Sequence, residues 1–366
     1  MIIGIIREQD DTRVSIVPEV ASKLGKDGNE IWVEPSAGAS SYFSDQEYEK
    51  IGAKIKSREE ILRMAGLNIS ITALDENEIM KMHKSAIYIS SFHPYMNEEI
   101  VSVLGRAGIT ALSLDMIPRI TMAQTMDILS SMASISGYKA VIMAAGYLPR
   151  YFPMLTTAAG SIPPSRVLIL GAGVAGLQAI ATARRLGSIV EAFDTRHAAK
   201  EEVESLGAKF VEVEGAKDDK KAGGYAVEQT EEYKTKQREL IADRVSKSDV
   251  VITTALLRSK LAPILITREM VESMKQGSVI VDLAASAGGN CELTRPGEIA
   301  RIGTITIIGI KELSSTLPLH ASQLYCKNIF NYIKVFLNQG VANIDLNNEI
   351  MKHSAIVLNG EIRYHK

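Results

Sequence analysis

The sequence predicts an α/β protein of two doubly wound domains with mainly parallel sheets, joined by long helices. Three observations carry that reading. Short apolar runs alternate with helical patterns along the chain, as βαβ units require. The 366 residues are enough for two separate cores. A second series of apolar runs starts at Arg166, after the proline pair Pro163-Pro164.

The first series comprises Ile2 to Ile6, Glu30 to Glu34, Leu67 to Ala73, Ala86 to Ser91 and Ile109 to Leu114. Helical stretches such as Pro18 to Lys26 and Asn97 to Ala107 lie between them. The first strand runs into Arg7-Glu-Gln-Asp-Asp-Thr-Arg13, which has no glycine fingerprint, so no nucleotide is expected at that turn. A breaker-poor run from about Met122 to Leu148, interrupted only by Gly137 and Gly146, reads as one long bridging helix. Pro318 to Gln339 reads as a helix returning to the first domain, which sets the expected boundaries at 1–136 plus 319–366 and 137–318.

The second series holds the most informative stretch. An apolar strand, Val167 to Leu170, runs into Gly171, Gly173 and Gly176, spaced G-x-G-x-x-G, and a helix from Val174 to Leu186 begins inside the turn. A second strand, Ile189 to Phe193, ends on Asp194, 18 residues after the third glycine. In a dinucleotide site, Gly171 permits the tight turn and Gly173 leaves room for the pyrophosphate. Gly176 lets helix and strand pack closely, and the free N–H groups at Val174 and Ala175 face the phosphates. Asp194 suits the ribose hydroxyls and repels a 2′-phosphate, which points to NAD(H). Strand, motif, helix, strand and terminal acid in this order make a Rossmann fingerprint, and the first domain is a Rossmann-like unit without one. The series continues through Lys209 to Val213, Asp249 to Thr253, Ser278 to Leu283 and Thr304 to Ile308.

Composition excludes several classes. Charged residues are 23% with a net charge of −2, so neither nucleic acid nor an anionic membrane is implied. Cys291 and Cys326 lie at no metal-ligand spacing, and no metal is expected. The 17 uncharged residues from Val167 to Ala183 are a buried strand and crossover helix closed by Arg184-Arg185; no other run is expected to reach bilayer-spanning length. Direct membrane insertion is therefore not expected, and the chain reads as cytoplasmic. The polar stretch Glu214 to Arg238, with Gly223, Gly224 and Tyr225, is long for a connection. It reads either as a surface insertion or as a flap hinged at its glycines.

A second cluster lies in Met116-Ile-Pro-Arg119-Ile-Thr-Met-Ala-Gln124-Thr-Met-Asp127-Ile-Leu-Ser130, where guanidinium, amide, carboxylate and hydroxyl fall within about three helical turns. This segment, with Arg13-Val, Ala158-Ala-Gly and the fingerprint run, resembles the NAD(H)-binding domain I of proton-translocating NAD(P) transhydrogenase. Ala222-Gly-Gly-Tyr, Ile252-Thr-Thr-Ala255-Leu256 and Asp282-Leu-Ala…Ala-Gly-Gly-Asn belong to the same resemblance. The family is a relative of alanine dehydrogenase. The resemblance implies that Gln124 and Asp127 lie at the nicotinamide, that Arg119 helps place it, and that Ser130 adds a polar contact. It implies further cofactor contacts at Thr195, Arg196, Gly224, Tyr225, Ala255 and Leu256. It also implies a homodimer, partner components that bind NADP(H) and span the membrane, and a position peripheral to the inner membrane through them.

Two positions depart from the pattern: no lysine occurs near Ser70, and Ser286 stands where an acidic residue is expected. The alternative activity, oxidative deamination of L-alanine, needs a cation for the substrate carboxylate and an acid–base group. Arg13 and His93 are the candidates for those roles, and the two departures remove further expected members.

Overall fold

The computed structural model describes residues 1–213, 230–256 and 261–364. The chain divides into two compact units, Met1–Met132 with Ser315–Lys366, and Ala133–Ser314.

In the first unit an eight-stranded sheet runs in the order Glu361–Ile362, Ala355–Leu358, Thr110–Ser113, Ile87–Ser91, Leu67–Thr72, Ile2–Ile5, Glu30–Val33, Lys54–Ile55. The last six pair in parallel, and the two C-terminal strands are added antiparallel at the edge. Strands covered on both faces read as continuous apolar runs, and here Ile3 and Ile5 pack into one core while Tyr88 and Ala111 pack into another. The sequence pattern missed Lys54–Ile55 and the C-terminal strands because two to four residues carry too little periodicity.

The second unit holds seven strands in the order Lys209–Phe210, Ile189–Phe193, Arg166–Leu170, Val250–Thr253, Val279–Asp282, Ile305–Ile308, Ile299–Ile302, parallel except for the last. The chain crosses from Arg166–Leu170 outward to Ile189–Phe193, then returns to lay Val250–Thr253 on the other side. That reversal is a topological switch point, where the carboxyl ends of neighbouring strands open a crevice. The fingerprint turn follows the first of those two strands.

Three sequence expectations are corrected. The helix expected from Met122 is divided: Thr121–Met126 is a 3₁₀ turn, Asp127 is extended (φ −74°, ψ 91°), and the α-helix is Ile128–Tyr147. Asp127 starts that helix by accepting from the Ser130 N–H at 2.9 Å and hydroxyl at 2.6 Å, a local cap that breaks the continuity apolarity alone suggested. The returning helix ends at Phe336, where Gln339 and Gly340, both at positive φ, turn Leu337–Asn338 back onto Val341–Ala342. Lastly, helix Ile128–Tyr147 is long and apolar enough to cross a bilayer by length and composition, which the sequence reading did not allow. Ala140, Val141 and Ala144 on it are fully buried in a core of the second unit. Of the flap candidate, residues 214–229, including Gly223, Gly224 and Tyr225, lie outside the described residues. From Glu231 the chain is helical to Lys247, with the Thr230 hydroxyl accepting from the Tyr233 N–H.

Candidate functional site

In the second unit the fingerprint has the sterics a dinucleotide turn demands. Gly171 sits at φ +103°, and a Cβ there would lie 2.3 Å from the Thr254 hydroxyl. A Cβ on Gly176 would lie 1.9 Å from the Gly171 carbonyl oxygen, so only glycine lets helix Val174–Arg185 pack so close. A Cβ on Gly173 would meet nothing within 4 Å: that glycine faces space which the turn itself does not use. The first intrahelical bond runs from the Leu177 N–H to the Gly173 carbonyl, leaving the amides of the first turn without helical partners. Val174 is exposed and Ala175 half-buried. An open cradle, a helix N-terminus and a crevice fit the pyrophosphate of NAD(H).

Asp194 ends its strand as expected, but its carboxylate is already engaged. It accepts from the Ala172 N–H at 2.7 Å and the Arg196 N–H at 2.8 Å. The Arg196 guanidinium folds onto it from Nε and Nη2, each at 3.0 Å. The carboxylate is thus aimed by the fingerprint turn and partly neutralised by its neighbour, with half-buried Thr195 between them. The loop after Val250–Thr253 carries half-buried Ala255 and exposed Leu256.

In the first unit, Arg119, Gln124, Asp127 and Ser130 line one cavity of about 410 Å³ together with Ile117 and Ala123. Arg119 and Gln124 are exposed, while Asp127 and Ser130 are half-buried. Both Asp127 oxygens are held by Ser130, so this carboxylate caps the helix, and the cavity lining offers donors and acceptors without a paired acid and base.

Family models described as Alanine dehydrogenase/PNT, N-terminal domain and C-terminal domain, match residues 4–136 and 140–365. The chain belongs to that family. Within it, NAD(P) transhydrogenase subunit alpha of Haemophilus influenzae is 41% identical over 366 residues, covering 99% of this chain and 71% of that one. The crystal structure of transhydrogenase from Sinorhizobium meliloti superposes with a TM-score of 0.87 at 38% identity, over 100% of this chain and 99% of that one. Alanine dehydrogenase 1 of Staphylococcus aureus (strain NCTC 8325 / PS 47) is more distant, 30% identical over 378 residues, covering 99% and 94%. The transhydrogenase resemblance drawn from the motifs is borne out, and the chain is an NAD(H)-binding oxidoreductase of this family.

The residues reserved for alanine chemistry are differently placed. The Arg13 side chain is 5% exposed and is engaged bidentately by Asp11, with Nε 2.9 and 3.1 Å from its oxygens, beside the Tyr325 ring. His93 stands on the surface at φ +48°, 3.6 Å from the Asp115 carboxylate. Ser70 is buried in a hydroxyl chain, 2.6 Å from the Tyr88 hydroxyl, and Ser286 is exposed on a 3₁₀ turn.

Sequence reasoning missed three residues that shape the site. Asn290, fully buried, holds Ala255 by both backbone groups, accepting at 2.9 Å and donating at 2.8 Å, and also donates to the Pro263 carbonyl. Asp282, 1% exposed, ties the end of strand Val250–Thr253 to the segment that carries Asn290, accepting from Thr253, Ala284, Asn290, Cys291 and Thr294. The run Asp282…Gly-Gly-Asn290 was visible, but its roles needed the fold. Gly137, read only as an interruption, lies where a Cβ would come 2.1 Å from the Ala175 carbonyl oxygen, against the start of the fingerprint helix.

Proposed function

We propose that this chain is the NAD(H)-holding subunit of a proton-translocating transhydrogenase, passing hydride to NADP⁺ held on a partner component. In this reading Gly171, Gly173, Gly176, Val174 and Ala175 hold the pyrophosphate. Asp194, with Thr195 and Arg196, receives the adenosine ribose, and Ala255 and Leu256 border the cofactor; Gly224 and Tyr225 keep their proposed flap contacts. Arg119, Gln124, Asp127 and Ser130 orient the nicotinamide. NADH, when bound, supplies a hydride, and no net proton moves at the reacting carbons. The chain's task is then orientation, which can supply several kcal/mol of a barrier without general acid–base catalysis. Membrane-spanning partner chains would carry the protons, with this chain as a peripheral homodimer.

The observation that carries this reading is the single cavity gathering Arg119, Gln124, Asp127 and Ser130, with its one carboxylate already tied to Ser130. Alanine dehydrogenation draws less support, because the Arg13 guanidinium that would bind a substrate carboxylate is paired with Asp11. The test mixes the purified chain with a transhydrogenase NADP-binding component and follows hydride transfer from NADH to an NADP⁺ analogue. Transfer should occur. Gln124→Asn, which withdraws the amide by one methylene, should slow it by about 10²-fold with little change in NADH affinity. NAD⁺ reduction by L-alanine without any transfer to the partner would overturn the proposal.

A further inference from the structure

The Thr125 carbonyl lies in the middle of the Arg119–Ser130 segment, and the 3₁₀ turn there does not use it. That turn is held by the Ala123 N–H on the Ile120 carbonyl and the Asp127 N–H on the Gln124 carbonyl. The Thr125 carbonyl instead receives two side-chain amides from the returning helix Pro318–Phe336: Asn328 Nδ2 at 2.8 Å and Asn331 Nδ2 at 3.2 Å. The two asparagines are three residues apart on one face of that helix. Asn328 is 7% exposed, and its buried Oδ1 has no partner among the described residues. Rotating the amide would set that oxygen against the Thr125 carbonyl, so the donor orientation is the one the site requires. A buried amide that leaves its own acceptor unpaired is an unfavourable choice for packing alone, where an apolar side chain would bury no unpaired polar atom. What the position retains is a donor aimed at Thr125.

We infer that Asn328, assisted by Asn331, is a positioning residue for hydride transfer. By fixing the peptide plane after Thr125, it sets the direction in which the chain leaves Gln124 and enters Asp127. The inference rests on the functional reading above, in which those two side chains orient the nicotinamide. Asn328 itself acts only through the backbone it holds.

Asn328→Leu keeps the branched outline of the side chain and removes both the donor and the orphaned acceptor; Asn328→Asp keeps the shape and replaces the donor by an acceptor. Each protein is studied as the full chain, first alone with NADH and then with the NADP-binding component. Alone, Asn328→Leu should bind NADH within about twofold of wild type, yet shift the fluorescence lifetime of the bound nicotinamide. With the partner, its kcat should fall at least about tenfold at near-constant KM, since a displacement of about 1 Å costs more than that. For Asn328→Asp, kcat should recover as pH falls and the introduced carboxyl regains a proton to donate. Unchanged lifetime and kcat in Asn328→Leu at equal or higher thermal stability would overturn the inference, showing an amide with only a packing role. A wild-type chain that transfers no hydride, but whose nicotinamide lifetime still responds to Asn328→Leu, would sink the transhydrogenase reading and leave the positioning role standing.

Discussion

Asp194 and Arg196 place opposite preferences two residues apart. The carboxylate end of the second strand favours ribose hydroxyls, and a guanidinium beside it can accept a 2′-phosphate. The structure couples them, since Arg196 donates its backbone N–H and its side-chain fork to the Asp194 oxygens. In the proposed site, discrimination against NADPH should therefore be weaker than an uncompensated carboxylate would provide. Titration calorimetry should show NADH binding more tightly than NADPH in the wild type. Asp194→Ala should narrow that gap and Arg196→Ala should widen it; a gap unmoved by both would remove Asp194 from the cofactor site.

Among the elements, the turn from Arg166–Leu170 into Val174–Arg185 separates two kinds of glycine. Gly176 is held by the protein's own backbone, because any Cβ would strike the Gly171 carbonyl at 1.9 Å. A Cβ on Gly173 would meet no protein atom within 4 Å, so folding does not require glycine there, and the proposed function gives that space to the pyrophosphate. Gly176→Ala should lower both thermal stability and NADH affinity. Gly173→Ala should leave the melting temperature near wild type while weakening NADH binding about tenfold or more, roughly 1.4 kcal/mol. Melting curves and NADH titrations on the two variants distinguish these outcomes, and equal effects from both would contradict the division. The same spacing in the sequence identifies both glycines, but only the packed helix reveals which one folding needs.

For the molecule as a whole, the first unit holds a carboxyl whose titration should be visible in stability. Glu8 is half-buried, with its carboxylate turned onto the Ile71 and Thr72 amides at 2.6 and 3.0 Å. Burial raises its pKa from 4.5 to about 7, against the lowering effect of those amides and with a further push from Asp11. The folded state therefore keeps a proton that the unfolded chain releases above about 4.5. This contribution is fully present below that pH, is lost as pH rises to about 7, and is then constant. Its slope is at most about 1.4 kcal/mol per pH unit within that window. Urea unfolding at several pH values should show wild-type stability declining across the window, with a shallower decline in Glu8→Gln. Parallel slopes would remove Glu8 as the source.

The architecture of both units and the candidate site residues within each are legible along the chain because both rest on local patterns. Alternating apolar runs mark parallel strands because buried strands must be apolar on both faces. The glycine spacing marks the phosphate turn because backbone clearance depends on the absence of a side chain. The segment from Arg119 to Ser130 stands out by its four close polar groups, but its expected role came from the family resemblance, since spacing alone is equally that of a capped helix start. Which of these groups are already committed emerges only in the folded molecule. Asp194 to Arg196, Asp127 to Ser130 and Arg13 to Asp11 are local in sequence, yet each pairing depends on the backbone direction that the surrounding turn imposes. Asn290 on Ala255, Asn328 on Thr125, Gly137 against Ala175 and the edge strand Ala355–Leu358 depend on long-range packing. Such contacts join residues tens to hundreds of positions apart, and no periodicity or spacing along the chain encodes them.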